Sequence, residues 1–286
     1  MRDKDVELSS MNQSLLRPGV GFFVFSDRAV PASGSIRVFY ACPHSNVRNA
    51  PIVIAMHGLD RAAEAFRDAL ADRASRNGQI VLVPEFGIHQ FPDVYAYNFG
   101  GVRLPPPSNS VFLRNEWNFG IVDRLFQEVR HAIGSNRTTF RMFGNSAGSQ
   151  YVLRYLALTE ATAVDRVVAS NSGVYMLPDL QAEYPVGMGG LDLDESHLRR
   201  YFACPLVLLL GDADTDTAAP DLPRNDVAMA QGPHRLARGH WHFEHCTELA
   251  SRLGVQLGWK LEVVRGASHV SQQIFDRAAD ILSCRT

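Results

Sequence analysis

A serine between two glycines, in 144-GNSAG-148, is the feature of this sequence best suited to covalent chemistry. The spacing Gly-x-Ser-x-Gly is short enough to arise by chance, so its surroundings decide its meaning. A β-branched and aromatic run, 139-TFRMFG-144, leads into the motif, and a helical pattern begins at Ala147. This strand-turn-helix context predicts a nucleophile elbow, in which Ser146 Oγ projects above a sheet beside the positive end of a helix.

A base must accompany the serine, because a hydroxyl is a weak nucleophile until its proton is removed, and a carboxylate must orient that base. In chains with an elbow of this kind, the acid comes after the serine in the sequence, and the base comes after the acid. His269 comes just after the last predicted strand, 259-WKLEVVRG-266, whereas every other histidine precedes the serine or this strand. We therefore predict that His269 is the base.

Three alternating aspartates after the strand 205-PLVLLLG-211 include the candidate acid. Asp214 stands at Gly-x-x-Asp from the strand end, far enough round the turn to face inward, and Asp216 is the alternative. The alternation also suits a calcium loop, but an EF-hand needs a glycine and a terminal glutamate where Thr217 and Pro223 stand. We predict Asp214 as the acid and no metal here.

The oxyanion that forms during acyl transfer needs two backbone N–H donors. Ala147, directly after the serine, is expected to supply one of them. Leu59 is expected to supply the other, because 56-MHGL-59 follows the third predicted strand and its glycine lets the backbone turn toward a substrate.

A rival site is the histidine-rich stretch 240-HWHFEHC-246. His242 and His245 suit a metal on one helix face, but neither an HExxH pattern nor a second cluster of ligands accompanies them. We interpret the stretch as the start of an amphipathic helix and expect neither a metal nor an organic cofactor.

The elements that must position these residues alternate along the chain. Apolar and β-branched runs predict strands near 20–25, 35–41, 51–57, 79–86, 139–144, 166–171, 205–211 and 259–266. Apolar residues three or four apart predict helices near 61–78, 117–134, 147–160, 241–254 and 271–283. The first two strands form a hairpin, and the almost wholly apolar runs read as strands covered on both faces. The sequence predicts an α/β fold with a mainly parallel sheet.

Two long segments, 87–116 and 212–240, interrupt the alternation after strand ends, where α/β sheets bind their ligands. We predict that both form a lid or shape a substrate site. The side chains that would line it, if they do not simply pack the segments down, are Phe91, Tyr95, Tyr97, Phe99 and Arg235. Three further side chains, Trp117, Asn171 and Tyr175, are candidates for contact with substrate, with core packing as the alternative.

Composition bounds the class of protein. The chain has 286 residues and a net charge of −2, so it lacks the basic field that nucleic acid or anionic membrane would require, and small or weakly charged substrates are favoured. No apolar run reaches the length of a membrane helix, and the N-terminus lacks the apolar core of a signal peptide. We expect one cytoplasmic domain, 1–286, with 1–18 as a flexible extension, acting as a monomer or homodimer.

GNSAG after a strand, LLLGDADTD, GASH and MHGL, in this order, resemble the α/β-hydrolase superfamily over nearly the whole chain. The closest resemblance is to its polyhydroxybutyrate-depolymerase-like esterases, to which 165-DRVVASNSGVYMLPD-179 is also similar. The resemblance implies an eight-stranded sheet with an antiparallel second strand and the site residues Ser146, Asp214, His269, Leu59 and Ala147.

Two departures from the family stand out. Many members carry histidine before the serine, where this chain has Asn145, and the interval of 55 positions from Asp214 to His269 exceeds the usual one, with 217–240 as the surplus. The resemblance implies a serine hydrolase that cleaves small or oligomeric carboxylic esters through an acyl-enzyme. A peptidase or polyamide hydrolase with the same residues is the first alternative, and a non-catalytic binding member of the fold is the second.

Overall fold

The computed structural model describes residues 15–28, 30 and 34–284, so the first fourteen residues of the predicted extension 1–18 lie outside it. Within the described residues the strands are β1 (Gly19–Ser26), β2 (Ser35–Cys42), β3 (Ile52–Met56), β4 (Ile80–Pro84), β5 (Phe140–Asn145), β6 (Val164–Ser170), β7 (Leu206–Gly211) and β8 (Lys260–Val264). The α-helices are α1 (Ala63–Arg76), α2 (Phe119–Ala132), α3 (Ala147–Leu158), α4 (Glu195–Ala203), α5 (Asp226–Gln231), α6 (Arg235–Arg252) and α7 (Gln272–Ile281).

All eight strands join one sheet in the order β1-β2-β4-β3-β5-β6-β7-β8. β2 runs antiparallel to both β1 and β4, and every other pairing is parallel. The predicted sheet, mostly parallel and eight-stranded with an antiparallel second strand, is confirmed. Because β5, β7 and β8 are parallel, their carboxyl ends meet at one edge of the sheet, which is where the candidate site residues follow them.

Side chains that alternate along the strands bury both faces of the sheet. In β3, Ile52, Ile54 and Met56 join the core beneath α2, α3, α4 and α6, whereas Val53 and Ala55 join the core beneath α1 and α7. The same strand therefore feeds two hydrophobic clusters, which is why its sequence is apolar throughout. Helices on both faces, as predicted, follow from this double burial.

Three α-helical stretches of the described residues were not predicted from the sequence. The helix α4 spans only nine residues and begins at a capping side chain, Asp194, which accepts the Ser196 N–H at 3.0 Å. The helix α6 begins at Arg235, six residues before the predicted start, behind the unusual capping residue His234, whose ring accepts the Ala237 N–H at 3.2 Å. The helix α5 and the first turns of α6 lie within the segment 212–240. The proline and aspartate residues of this segment did not predict helical structure.

The other long segment, 87–116, has little regular structure. It contains an isolated bridge between Arg103 and Val111 and one turn of 3₁₀ helix at Arg114–Glu116. Its backbone is instead tied to neighbouring parts of the fold, among them the loop after β3. Within the described parts of the chain, no helix is long and apolar enough to cross a membrane.

Candidate active site

The turn between β5 and α3 places Ser146 in a strained conformation, with φ 58° and ψ −118°. Positive φ is uncommon for a residue with a side chain and persists only where its surroundings enforce it. Those surroundings are two glycines: a Cβ on Gly144 would lie 2.2 Å from the Gly148 carbonyl oxygen, and a Cβ on Gly148 would lie 1.8 Å from Met56 O. The strand and the helix therefore meet too closely for any other residue, and the turn has the geometry of a nucleophile elbow.

Ser146, His269 and Asp214 form one hydrogen-bonded series. The Ser146 Oγ to His269 Nε2 distance is 3.1 Å, and the His269 Nδ1 to Asp214 Oδ2 distance is 2.8 Å. A carboxylate only accepts hydrogen bonds, so Nδ1 carries the ring proton and the lone pair of Nε2 faces the serine hydroxyl. The structure thus brings together the three residues that the sequence assigned to nucleophile, base and acid.

The choice between Asp214 and Asp216 follows from their positions. Asp214 is 3 % exposed and points inward, whereas Asp216 is exposed and its Oδ1 accepts the Ala218 N–H at 2.8 Å. Asp214 is also held from its other side by the start of α6. Its carbonyl oxygen accepts the Leu236 N–H at 3.2 Å, and its Oδ1 lies 3.7 Å from Nη1 of Arg235.

The loop of His269 is held by two buried amides. Asn145 Nδ2 and Asn171 Nδ2 both donate to the His269 carbonyl oxygen, at 3.2 and 3.1 Å. Asn145 in turn accepts from Ser170 Oγ at 2.7 Å, and Asn171 accepts the Gly211 N–H at 3.0 Å. Asn171, a candidate for substrate contact, is 1 % exposed and so ties the ends of β6 and β7 to the base instead.

Removing one of these amides should disturb the base. Asn145→Ala is expected to lower kcat for p-nitrophenyl butyrate by roughly 10- to 100-fold, because a small displacement of the imidazole costs that much. Asn145→His, which restores an N–H donor and the residue that many family members carry, should recover most of the activity. Thermal melting of both variants controls for folding, and an equal loss of kcat in the two would contradict the role of the N–H.

The loop that carries Leu59 is fixed by the buried ring of His57. Burial lowers the pKa of His57 to about 4, so the ring is neutral. Its Nε2 accepts the Phe86 N–H at 3.1 Å, which leaves the proton on Nδ1 to be donated to Gly58 O at 2.9 Å. Tyr97 Oη donates to the His57 carbonyl at 2.7 Å. Segment 87–116 thus anchors this loop through Tyr97.

The guanidinium of Arg61 reinforces the same anchor. It lies 4.2 Å from the centre of the Tyr97 ring and donates to the carbonyl oxygens of Phe86 and Phe91 at 2.8 and 3.1 Å. Among the backbone hydrogen bonds that the described residues form outside helices and strands, neither the Leu59 N–H nor the Ala147 N–H has an acceptor. The role of Leu59 and Ala147 as oxyanion donors remains a prediction.

Several other predicted site residues are occupied by contacts within the protein. Trp117 is 3 % exposed and donates from Nε1 to Phe112 O at 3.1 Å, and Phe91 and Tyr97 are buried. Tyr175 is 1 % exposed, and its ring stacks on that of His242 with 4.4 Å between centroids. These aromatic side chains therefore pack inside the protein, which was the alternative to contact with a substrate.

His242 itself lies in the core, in contact with Cys246 Sγ 3.7 Å from its Nε2. Burial lowers the pKa of His242 to about 3, so this ring is also neutral. No group of three or more His, Cys, Asp or Glu side chains in the described parts of the chain is placed to hold a metal. The stretch 240–246 belongs to α6, as the amphipathic-helix interpretation required.

Sheet order, elbow and the loops at the sheet edge together are those of an α/β hydrolase. Poly(aspartic acid) hydrolase-1 from Sphingomonas sp. KT-1 is similar in structure, with a TM-score of 0.88 and 34% identity over 93% of this chain and 99% of that one. LpqC, a poly(3-hydroxybutyrate) depolymerase from Bordetella parapertussis, has a TM-score of 0.86 and 29% identity over 93% and 89% of the two chains. The S-formylglutathione hydrolase from Agrobacterium tumefaciens shares the fold alone, with a TM-score of 0.58 and 16% identity over 91% of each chain.

These similarities identify the family. No family model matches the sequence, and no curated protein matches it. The identity and coverage shared with the first of the solved structures nevertheless exceed what a common fold alone produces. The chain belongs to the polyhydroxybutyrate-depolymerase-like branch of the α/β-hydrolase superfamily.

Proposed function

We propose that the protein is a serine hydrolase that cleaves carboxylic esters through an acyl-enzyme intermediate. The observation that carries the proposal is the series Ser146–His269–Asp214, with hydrogen-bond distances of 3.1 and 2.8 Å, at the end of a strained elbow. Poly(aspartic acid) hydrolase-1 and LpqC are both hydrolases, which supports the same class of reaction.

In the first half of the reaction, Ser146 Oγ attacks the ester carbonyl carbon while His269 Nε2 accepts the hydroxyl proton. The negative charge that forms on the carbonyl oxygen is stabilised by the N–H groups of Leu59 and Ala147 and by the positive end of α3. Asp214 stabilises the imidazolium. Collapse of the tetrahedral intermediate breaks the bond to the alcohol, which leaves with the proton from Nε2.

In the second half, water attacks the acyl-serine ester. His269 Nε2 accepts a proton from that water, and the new tetrahedral intermediate collapses to the free acid. Ser146 Oγ leaves and takes the proton back from Nε2, so the site returns to its starting state. Each cycle consumes one ester and one water, releases the alcohol and the acid, and needs no organic cofactor.

The substrate class proposed first is a small ester or a short polyester, and the similarity to LpqC, a poly(3-hydroxybutyrate) depolymerase, supports it. A second candidate, hydrolysis of a polyamide, is favoured by the 34% identity with a poly(aspartic acid) hydrolase. The same three side chains serve both reactions, so the difference lies in binding and in protonation of the leaving group.

Labelling with a fluorophosphonate tests the nucleophile directly. The probe is expected to modify Ser146, as mapped by peptide mass spectrometry, and Ser146→Ala should abolish the label. Modification of another residue would refute the assignment, and absence of labelling would favour a non-catalytic member of the fold. A panel of p-nitrophenyl butyrate, hydroxybutyrate oligomers and aspartate oligomers then separates ester from amide hydrolysis.

A further inference from the structure

A second carboxylate, Asp221, lies beside the reacting nitrogen. Its Oδ2 is 4.0 Å from His269 Nε2, the same atom that faces Ser146 Oγ. Its Oδ1 is 2.7 Å from Nη2 of Arg235. Asp221 belongs to the surplus 217–240, and nothing in the spacing of the sequence pointed to it. A charged group so close to the transferred proton also lies close to the substrate atoms that react there.

Arg235 and Asp221 differ in what a substrate can reach. The Arg235 side chain is 2 % exposed and lies between two carboxylates, Asp214 and Asp221. The Asp221 side chain is 45 % exposed. A bound substrate therefore meets the carboxylate of this ion pair and not its guanidinium.

The two carboxylates outnumber the guanidinium, so the group carries an excess negative charge while His269 is neutral. Partial burial acts to raise the pKa of Asp221, but the contact with the Arg235 guanidinium acts in the opposite direction and the pKa is lowered overall, which keeps the carboxylate ionised. Protonation of His269 during the reaction neutralises the excess. An anionic group on the substrate would add a further negative charge to the resting site.

The other arginines of segment 212–240 do not offset this charge. Arg238 is buried and donates to the carbonyl oxygens of Gly232 and Pro223, both at 2.9 Å. Arg224 donates from Nη2 to the carbonyl oxygens of Thr217 and Ala219, both at 3.0 Å. All three arginines of the segment are thus engaged by protein oxygens.

We propose that Asp221 is a specificity-determining residue that directs this site toward neutral or cationic esters and against substrates that carry a carboxylate near the scissile bond. The proposal rests on the ester hydrolase function proposed above. It separates this chain from a hydrolase of polyanions such as poly(aspartic acid), and it assigns the segment 217–240 a role in selection by charge.

Two methyl esters of equal carbon chain length test the proposal: methyl pentanoate, which is neutral, and methyl hydrogen glutarate, which is anionic at pH 7. The measured quantity is the ratio of kcat/KM for the anionic ester to kcat/KM for the neutral one. Asp221→Asn is expected to raise this ratio about tenfold, because it removes a charge within a few ångströms of the substrate at nearly constant shape. Added salt should raise the wild-type ratio in the same direction.

Asp216→Asn is the matched control, since Asp216 stands in the same segment but is exposed and bonded to Ala218 N–H. An unchanged ratio in Asp221→Asn, or an equal rise in both variants, would overturn the proposal while leaving ester hydrolysis intact. If neither ester is hydrolysed in a Ser146-dependent manner, the proposed function fails together with the proposal.

Discussion

Replacing Asp214 with asparagine is expected to lower kcat for ester hydrolysis by about 10⁴-fold. The carboxylate accepts the Nδ1 proton at 2.8 Å, and this bond turns the lone pair of Nε2 toward Ser146. An amide can instead donate to Nδ1, which favours the tautomer with the proton on Nε2, where it blocks proton transfer from the serine. The measurement is kcat at saturating p-nitrophenyl butyrate, with thermal melting to verify that the variant folds.

Asp216→Asn should leave kcat within about twofold of the wild type, because surface substitutions away from such contacts have small effects. The two aspartates are two positions apart, and the sequence predicted Asp214 as the acid with Asp216 as the alternative, so the pair of variants tests that assignment directly. A larger loss in Asp216→Asn than in Asp214→Asn would mean that the loop adopts another arrangement in solution and that Asp216 is the acid.

Gly148→Ala is expected to destabilise the protein by more than about 4 kcal/mol, at the upper end of single substitutions. The added Cβ would lie 1.8 Å from the Met56 carbonyl oxygen at the end of β3, and neither backbone can yield without breaking the elbow or the sheet. Helix propensity alone would predict the opposite, a gain of about 1 kcal/mol for alanine over glycine within a helix. Urea unfolding of the purified variant, or its failure to accumulate as folded protein, is the measurement.

Gly87→Ala provides the control for that experiment, since the nearest atom to its new Cβ is the Glu85 side chain at 4.0 Å. Its free energy of unfolding should stay within about 0.5 kcal/mol of the wild type. A Gly148→Ala variant as stable as Gly87→Ala would show that the strand and the helix do not meet as closely as the structure has them.

The central strands could be predicted well because burial on both faces requires a continuous run of apolar residues, which is visible in the sequence. β3, β4 and β7 are apolar throughout, and the structure bounds each within two residues of the predicted run. Ser146, Asp214 and His269 could be predicted for a different reason: each follows the end of a predicted strand, and parallel strands end at one edge of a sheet. The three loops that carry the site residues could therefore be found from the predicted strand ends alone.

The remaining parts of the site depend on contacts that leave no local pattern. The Arg235–Asp221 pair joins residues of the same segment, but its proximity to His269 arises only from the way α6 begins against the β7 loop. Asn145 and Asn171 meet at the His269 carbonyl because two different strands end beside it. No periodicity or motif in the sequence predicts these contacts. The start of α6 was also missed, because histidine is an unusual capping residue.

The attachment of α6 to Asp214 limits how this protein can change its substrate range. Arg235 contacts the Asp214 carboxylate, and the next residue, Leu236, donates its N–H to the Asp214 carbonyl. The segment 217–240 is therefore not an interchangeable module: grafting a different loop between Asp214 and α6 would alter the support of the acid along with the shape of the pocket. Evolution or engineering of specificity here must proceed through single side chains that keep this junction intact.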